Sequence, residues 1–144
     1  MVTVKANGPV IGVADGMGGG IGAQIVAQLR QELSPEIEIL ALGANAIATQ
    51  KMMQARASRG ASGENAIRVS INEADFILGP IGVVVPNAMM GEITPEIAIA
   101  VAGARGRKVF VARRPTTLRT GGHRTADARQ ADRRCHRPHS AVAN

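Results

Sequence analysis

The chain has 144 residues, enough for one domain that buries a core without disulfides or a structural metal. Its formal charge of +6 is unevenly placed: residues 1–112 carry nine Lys/Arg and nine Asp/Glu, whereas residues 113–144 carry eight Arg, no Lys and two Asp. The same tail holds all three histidines and the single cysteine, so residues 1–112 offer no His, Cys, Tyr or Trp for chemistry, and no internal disulfide can form.

Residues 1–9 read as an N-terminal extension, with Asn7-Gly8-Pro9 as a turn signal before the first strand. Val10 to Ala14 predicts strand one. After it comes Asp15-Gly16-Met17-Gly18-Gly19-Gly20-Ile21-Gly22, a turn with five glycines. Ile21, Ile25, Leu29 and Leu33, with Val26 beside them, then form the apolar stripe of a helix that Ser34-Pro35 ends. Ile37 to Leu42 predicts strand two, and Ala46 to Ala57 a second helix. Gly60 and Gly63 punctuate a loop. Ala66 to Ile71 predicts a third strand, Ala74 to Leu78 a fourth, and Gly79 to Pro86 a constrained apolar connection. Thr94-Pro95-Glu96 has the residues of a helix start: a capping oxygen, proline at the first position and an acid in the first turn. The helix behind it, Ile97 to Ala104, is apolar on nearly every side and is expected to be buried. Lys108 to Ala112 predicts strand five. This alternation predicts an α/β domain over residues 10–112, with a doubly wound, mostly parallel sheet covered on both faces.

The remaining segment, 113–144, has only Leu118 and Val142 as large apolar residues. So little apolar surface cannot offset ordering entropy, so the tail is expected to be disordered. Arginine without lysine, together with Ala, Thr, Gly, Pro and His, is also the composition of a GC-rich gene read out of frame. No stretch reads as a membrane span, because Pro80 and Pro86 break the longest apolar run. The N-terminus lacks a secretory pattern, so a cytoplasmic location is expected.

The glycine turn is the strongest functional signal. Glycines between a strand and a helix let backbone N–H groups face an anion, and the helix N-terminus adds unpaired donors and partial positive charge. Gly18-x-Gly20-x-x-Ala23 fits one dinucleotide-binding pattern, and Gly16-x-x-x-Gly20-Ile21-Gly22 resembles the turn of the short-chain dehydrogenases. Two companions of those patterns are missing: strand two ends in Ala41-Leu42-Gly43 without an acid, and no Tyr-x-x-x-Lys pair exists. The candidate ligand-binding residues are therefore Asp15, Gly16, Gly18, Gly19, Gly20 and Gly22. Asn45, Asn87 and Glu92 join them because they too follow strands at the edge where open α/β sheets bind ligands. Asp15 is a candidate for Mg²⁺ or a ribose hydroxyl. Thr49 falls on that edge, and Glu64 is grouped with it, although a place just before the predicted third strand also suits the opposite edge.

These segments resemble a small bacterial family known as domain of unknown function 3842. The resemblance is carried by Asp15 to Gly22, Ala41-Leu42-Gly43-Ala44-Asn45-Ala46, Gly63-Glu64-Asn65-Ala66-Ile67, Gly79-Pro80-Ile81-Gly82 and Asn87 to Pro95. It covers about residues 10 to 112 and implies a Rossmann-like fold, with no established activity.

The residues leave four functions open. The first is binding of a nucleotide or another small phosphate-bearing ligand, with a nucleotide or dinucleotide as the candidate cofactor. The second is an oxidoreductase or nucleotide-sugar enzyme, which would have to work with carboxylates, Lys51, Ser or Thr. The third is a non-catalytic assembly partner or homo-oligomer that uses Met89-Met90. The fourth is nucleic-acid binding through the arginines of the tail, against which stands the lack of aromatic residues in that tail to stack bases. Cys135-His136-x-x-His139 has metal-ligand residue types but too few neighbours for a site, so no metal is assigned.

Overall fold

The computed structural model describes residues 8–112, so the tail and most of the N-terminal extension lie outside the described residues. Five strands form one sheet: β1 Val10–Asp15, β2 Glu38–Gly43, β3 Arg59–Ser62, β4 Phe76–Pro80 and β5 Arg107–Val111. Four helices connect them: α1 Gly20–Glu32, α2 Ala46–Gln54, α3 Glu64–Ser70 and α4 Pro95–Gly103. The strand order is β3-β2-β1-β4-β5, and every pairing is parallel. This is the order of the first five strands of the doubly wound dinucleotide-binding folds. The predicted neighbours, strand one and strand four, do pair, with Ile11 opposite Phe76 and Val13 opposite Leu78.

Alternation along β1 divides the core between the two faces of the sheet. Ile11 and Val13 pack with Ile39 and Ala41 of β2, Val26 of α1 and Met52 of α2. Val10 and Ala14 pack on the other side with Leu40, Leu42 and Ile77, beneath Ile67 of α3 and Ile97, Ala98 and Val101 of α4. Residues buried on both faces are what a central parallel strand needs. Polar contacts fix the periphery. The Arg30 guanidinium near the end of α1 donates to the carbonyls of Arg56 and Ile37 and to Ser58 Oγ, at 2.7 to 2.8 Å. Arg59 ties edge strand β3 to Glu38 and Glu73 at 2.5 and 2.7 Å.

Residues 59–71 differ from the expectation. The third strand is Arg59–Ser62, where a loop was predicted, and Glu64–Ser70 is a helix. Ile67 and Ile71, four residues apart, are both buried under the sheet, while Val69 between them is 68% exposed. Helical spacing, not alternation, is therefore the period that matters there. The α4 helix is also less buried than its composition suggests: Ile97, Ala98 and Val101 face the core, but Ile99 is 70% exposed.

Candidate functional site

Strand order reverses between β1 and β4, and the loops after β1, β2 and β4 meet at the carboxyl edge of the sheet there. Asp15 ends β1 and is buried. Its Oδ1 accepts from Gly16 N–H at 2.7 Å and its Oδ2 from Gly22 N–H at 2.6 Å. Burial pushes the Asp15 carboxyl above the usual value of 3.8; the Gly22 and Gly16 N–H groups pull it back, and the Glu92 carboxylate pushes it up further. Asp15 thus spans the turn from strand to helix, with both oxygens engaged by the turn's own backbone.

The glycines separate into two kinds. Gly19 sits at φ 69°, and a Cβ there would lie 2.6 Å from the backbone of Ala48 in α2. A Cβ on Gly22 would lie 2.7 Å from Met52 Sδ and 2.8 Å from Asp15 Cβ. A Cβ on Gly16 would meet Met89 Sδ at 2.8 Å. Internal packing accounts for these three. Gly18 and Gly20 are different: neither has a positive φ, and a Cβ on either would meet nothing within 4 Å. The N–H groups of Gly18, Gly20 and Ile21 have no partner among the described residues, as expected for a turn leading into the first residues of a helix.

Asn45 and Glu92 close the turn from the other two loops. Asn45 Oδ1 caps α2 by accepting from Ala48 N–H at 2.8 Å, and its Nδ2 donates to Met17 O at 2.9 Å and to Glu92 Oε1. Glu92 Oε2 accepts from Met17 N–H at 3.0 Å. Neither Asp15 nor Glu92 pairs with a Lys or Arg among the described residues. Beside this cluster, Thr49 Oγ1 donates to Asn45 O at 2.9 Å and accepts from Ser62 Oγ at 2.6 Å.

The structure therefore brings together Asp15, Gly16, Gly18, Gly19, Gly20, Gly22, Asn45 and Glu92. Asn87 lies in the adjoining loop at φ 63° and is exposed; it contributes backbone bonds to Ile93 and Gly91. Of the two edges open to Glu64, the structure gives the carboxyl edge: Glu64 follows β3 and opens α3, accepting from Thr94 Oγ1 at 2.7 Å. The missing acid at the end of β2 has a steric reason, since a Cβ on Gly43 would lie 2.1 Å from Thr49 Oγ1. No group of three metal-ligating side chains occurs among the described residues. No described helix is long and apolar enough to cross a membrane.

The family model for the domain of unknown function DUF3842 matches residues 10–130. The chain belongs to this family. The DUF3842 match opens on the first residue of β1 and takes in every strand, every helix and every candidate site residue. It also runs past Ala112, where the resemblance read from the sequence stopped, so the family's similarity includes part of the arginine-rich segment. No curated protein matches this DUF3842 chain. The Met17 N–H, which donates to the Glu92 carboxylate, could not be found from the sequence because a backbone donor has no residue signature.

Proposed function

We propose that this domain binds a nucleotide or another small phosphate-bearing ligand in the crevice at the carboxyl ends of β1 and β4. The phosphate would lie on the N–H groups of Gly18, Gly20 and Ile21, in the partial positive charge of the α1 N-terminus. Gly18 and Gly20 carry the reading. Glycine is the most costly ordinary residue to order apart from special backbone needs, and at Gly20, the first residue of α1, and Gly18, in the turn before it, neither φ nor packing requires it. Close approach of a ligand from the open side gives the missing requirement. The blocked position at Gly43 removes the ribose-gripping acid of NAD sites, which favours a mononucleotide or simple phosphate ligand over a nicotinamide dinucleotide. Residues 1–112 supply no His, Cys or Tyr, so binding is a better-supported role than catalysis.

The test is thermal and calorimetric titration of the full chain with ADP, NAD and inorganic pyrophosphate. A binding probe at a hundred times its Kd should stabilise the fold by about 2.7 kcal/mol. Gly20→Val adds a branched side chain at a position where a Cβ has nothing within 4 Å, so it should keep the circular dichroism spectrum and lose the stabilisation. A folded Gly20→Val that binds as the parent does makes the turn structural. Binding of no probe by the parent favours the assembly reading, for which Met90 at 95%, Met17 at 48%, Val85 at 47% and Ile81 at 46% exposure offer the apolar surface.

A further inference from the structure

The loop between β4 and α4 is held in a strained form against the glycine turn. Asn87, Met89, Met90 and Gly91 have φ of 63°, 57°, 58° and 86°. Three of these carry side chains in the left-handed region that L-residues disfavour. Short-range backbone bonds close the loop, from Gly91 N–H to Asn87 O, Glu92 N–H to Met89 O and Ile93 N–H to Ala88 O, at 3.1 to 3.2 Å. Met90, at the tip, is 95% exposed and packs on nothing that offsets its backbone strain.

What the loop touches is the turn itself. Met89 Sδ lies against Gly16, and the Glu92 carboxylate takes Met17 N–H at 3.0 Å and Asn45 Nδ2. Glu92 therefore places a negative oxygen on the donor next to the open N–H of Gly18. No Lys or Arg among the described residues pairs with it, and it lies near enough to Asp15 to repel it. A phosphate on Gly18 and Gly20 would meet a carboxylate held on the neighbouring donor, and like charges so placed repel each other.

We infer that residues 87–92 form a displaceable strap, in which the Glu92 carboxylate occupies a donor of the glycine turn until a ligand phosphate replaces it. The inference rests on the reading of the turn as a phosphate site. On displacement, Met17 N–H passes to the phosphate, the repulsion between Asp15 and Glu92 is relieved, and the left-handed residues relax. The strap thus sets affinity from outside the donors that touch the ligand.

Isothermal titration of the full chain with ADP, NAD and inorganic pyrophosphate tests this on the parent, Glu92→Gln and Met90→Asn. Glu92→Gln removes the charge and turns a donor toward Asn45 Nδ2, so Kd should fall about tenfold, equivalent to about 1.4 kcal/mol. Met90→Asn suits the left-handed backbone better and sacrifices no packing, so it should strengthen the strap, raise Tm and weaken binding. Unchanged or weaker binding by folded Glu92→Gln, while the parent binds, overturns the strap and leaves the phosphate reading standing. If Glu92→Gln does not fold, Met90→Asn decides, and a higher Tm with unchanged Kd overturns the strap. If the parent binds none of the probes, the phosphate reading falls and takes the strap with it.

Discussion

Asp15 and Gly22 face each other across the turn at the end of β1, with the carboxylate Oδ2 2.6 Å from the Gly22 amide nitrogen. The contact favours glycine, since a Cβ at residue 22 would stand 2.8 Å from Asp15 Cβ and 3.0 Å from that same oxygen. Strand end and helix start are thereby joined through one side chain, and the turn takes its shape from the chain's own contacts.

The two kinds of glycine predict opposite stability effects. Gly22→Ala forces Met52 or Asp15 to move and should destabilise by about 1–3 kcal/mol, the usual range for overpacking. Gly20→Ala meets nothing and restricts the unfolded chain, so it should stabilise by about 0.4–1 kcal/mol. Urea denaturation of both variants measures the difference. Equal losses would mean that packing governs the whole turn.

The Asp15 carboxyl lies above its ordinary 3.8, chiefly through burial. A carboxyl with a raised folded pKa binds its proton more readily in the folded chain than in the unfolded one. Its contribution to stability therefore rises as pH falls from neutral toward the ordinary value, and is lost as pH rises through the folded value. Urea midpoints of the parent and Asp15→Asn between about pH 7 and about pH 4 should show the parent gaining relative to the variant on acidification.

Asn45 joins three jobs: it caps α2, holds Met17 O and meets Glu92. Asn45→Ala should cost about 1–2 kcal/mol from the lost cap alone. It should also speed amide exchange at Met17, because Glu92 loses the partner that orients it. Exchange followed by NMR separates the effects, since a lost cap by itself would act on the first turn of α2.

Much of this arrangement can be read from the chain. Strands β1, β2 and β4 are apolar on both faces, and Thr94-Pro95 marks the start of α4, so their order and parallel sense follow from alternation with helices. Residues 59–62 carry no such signal, because β3 is an edge strand whose Arg59, Gly60 and Ser62 are exposed. Ile67, Val69 and Ile71 alternate like a strand although only the two isoleucines are buried. The convergence of Asp15, Asn45 and Glu92 follows from their places at strand ends. The left-handed Met89 and Met90 do not, because methionine gives no warning of a positive φ.

Methionine oxidation should follow this geometry. Mild peroxide should convert Met90, at 95% exposure, before Met17, at 48%, and should spare Met52, which is fully buried. Peptide mass spectrometry over a time course gives the order. Early oxidation of Met52 would show that α2 opens from the sheet more readily than its packing implies.

The bond between Met17 and Glu92 joins residues 75 apart in sequence, and that between Asn45 and Glu92 joins residues 47 apart. This polar cluster therefore has no local precursor: a chain halted during synthesis before residue 92 has its glycine turn but not the carboxylate that closes it. Contacts of such long range form late, after the loop-closure entropy of the parallel sheet has been met. Closure of the turn by Glu92 is consequently a property of the finished domain, and protection of the Met17 amide would mark the moment at which the chain completes it.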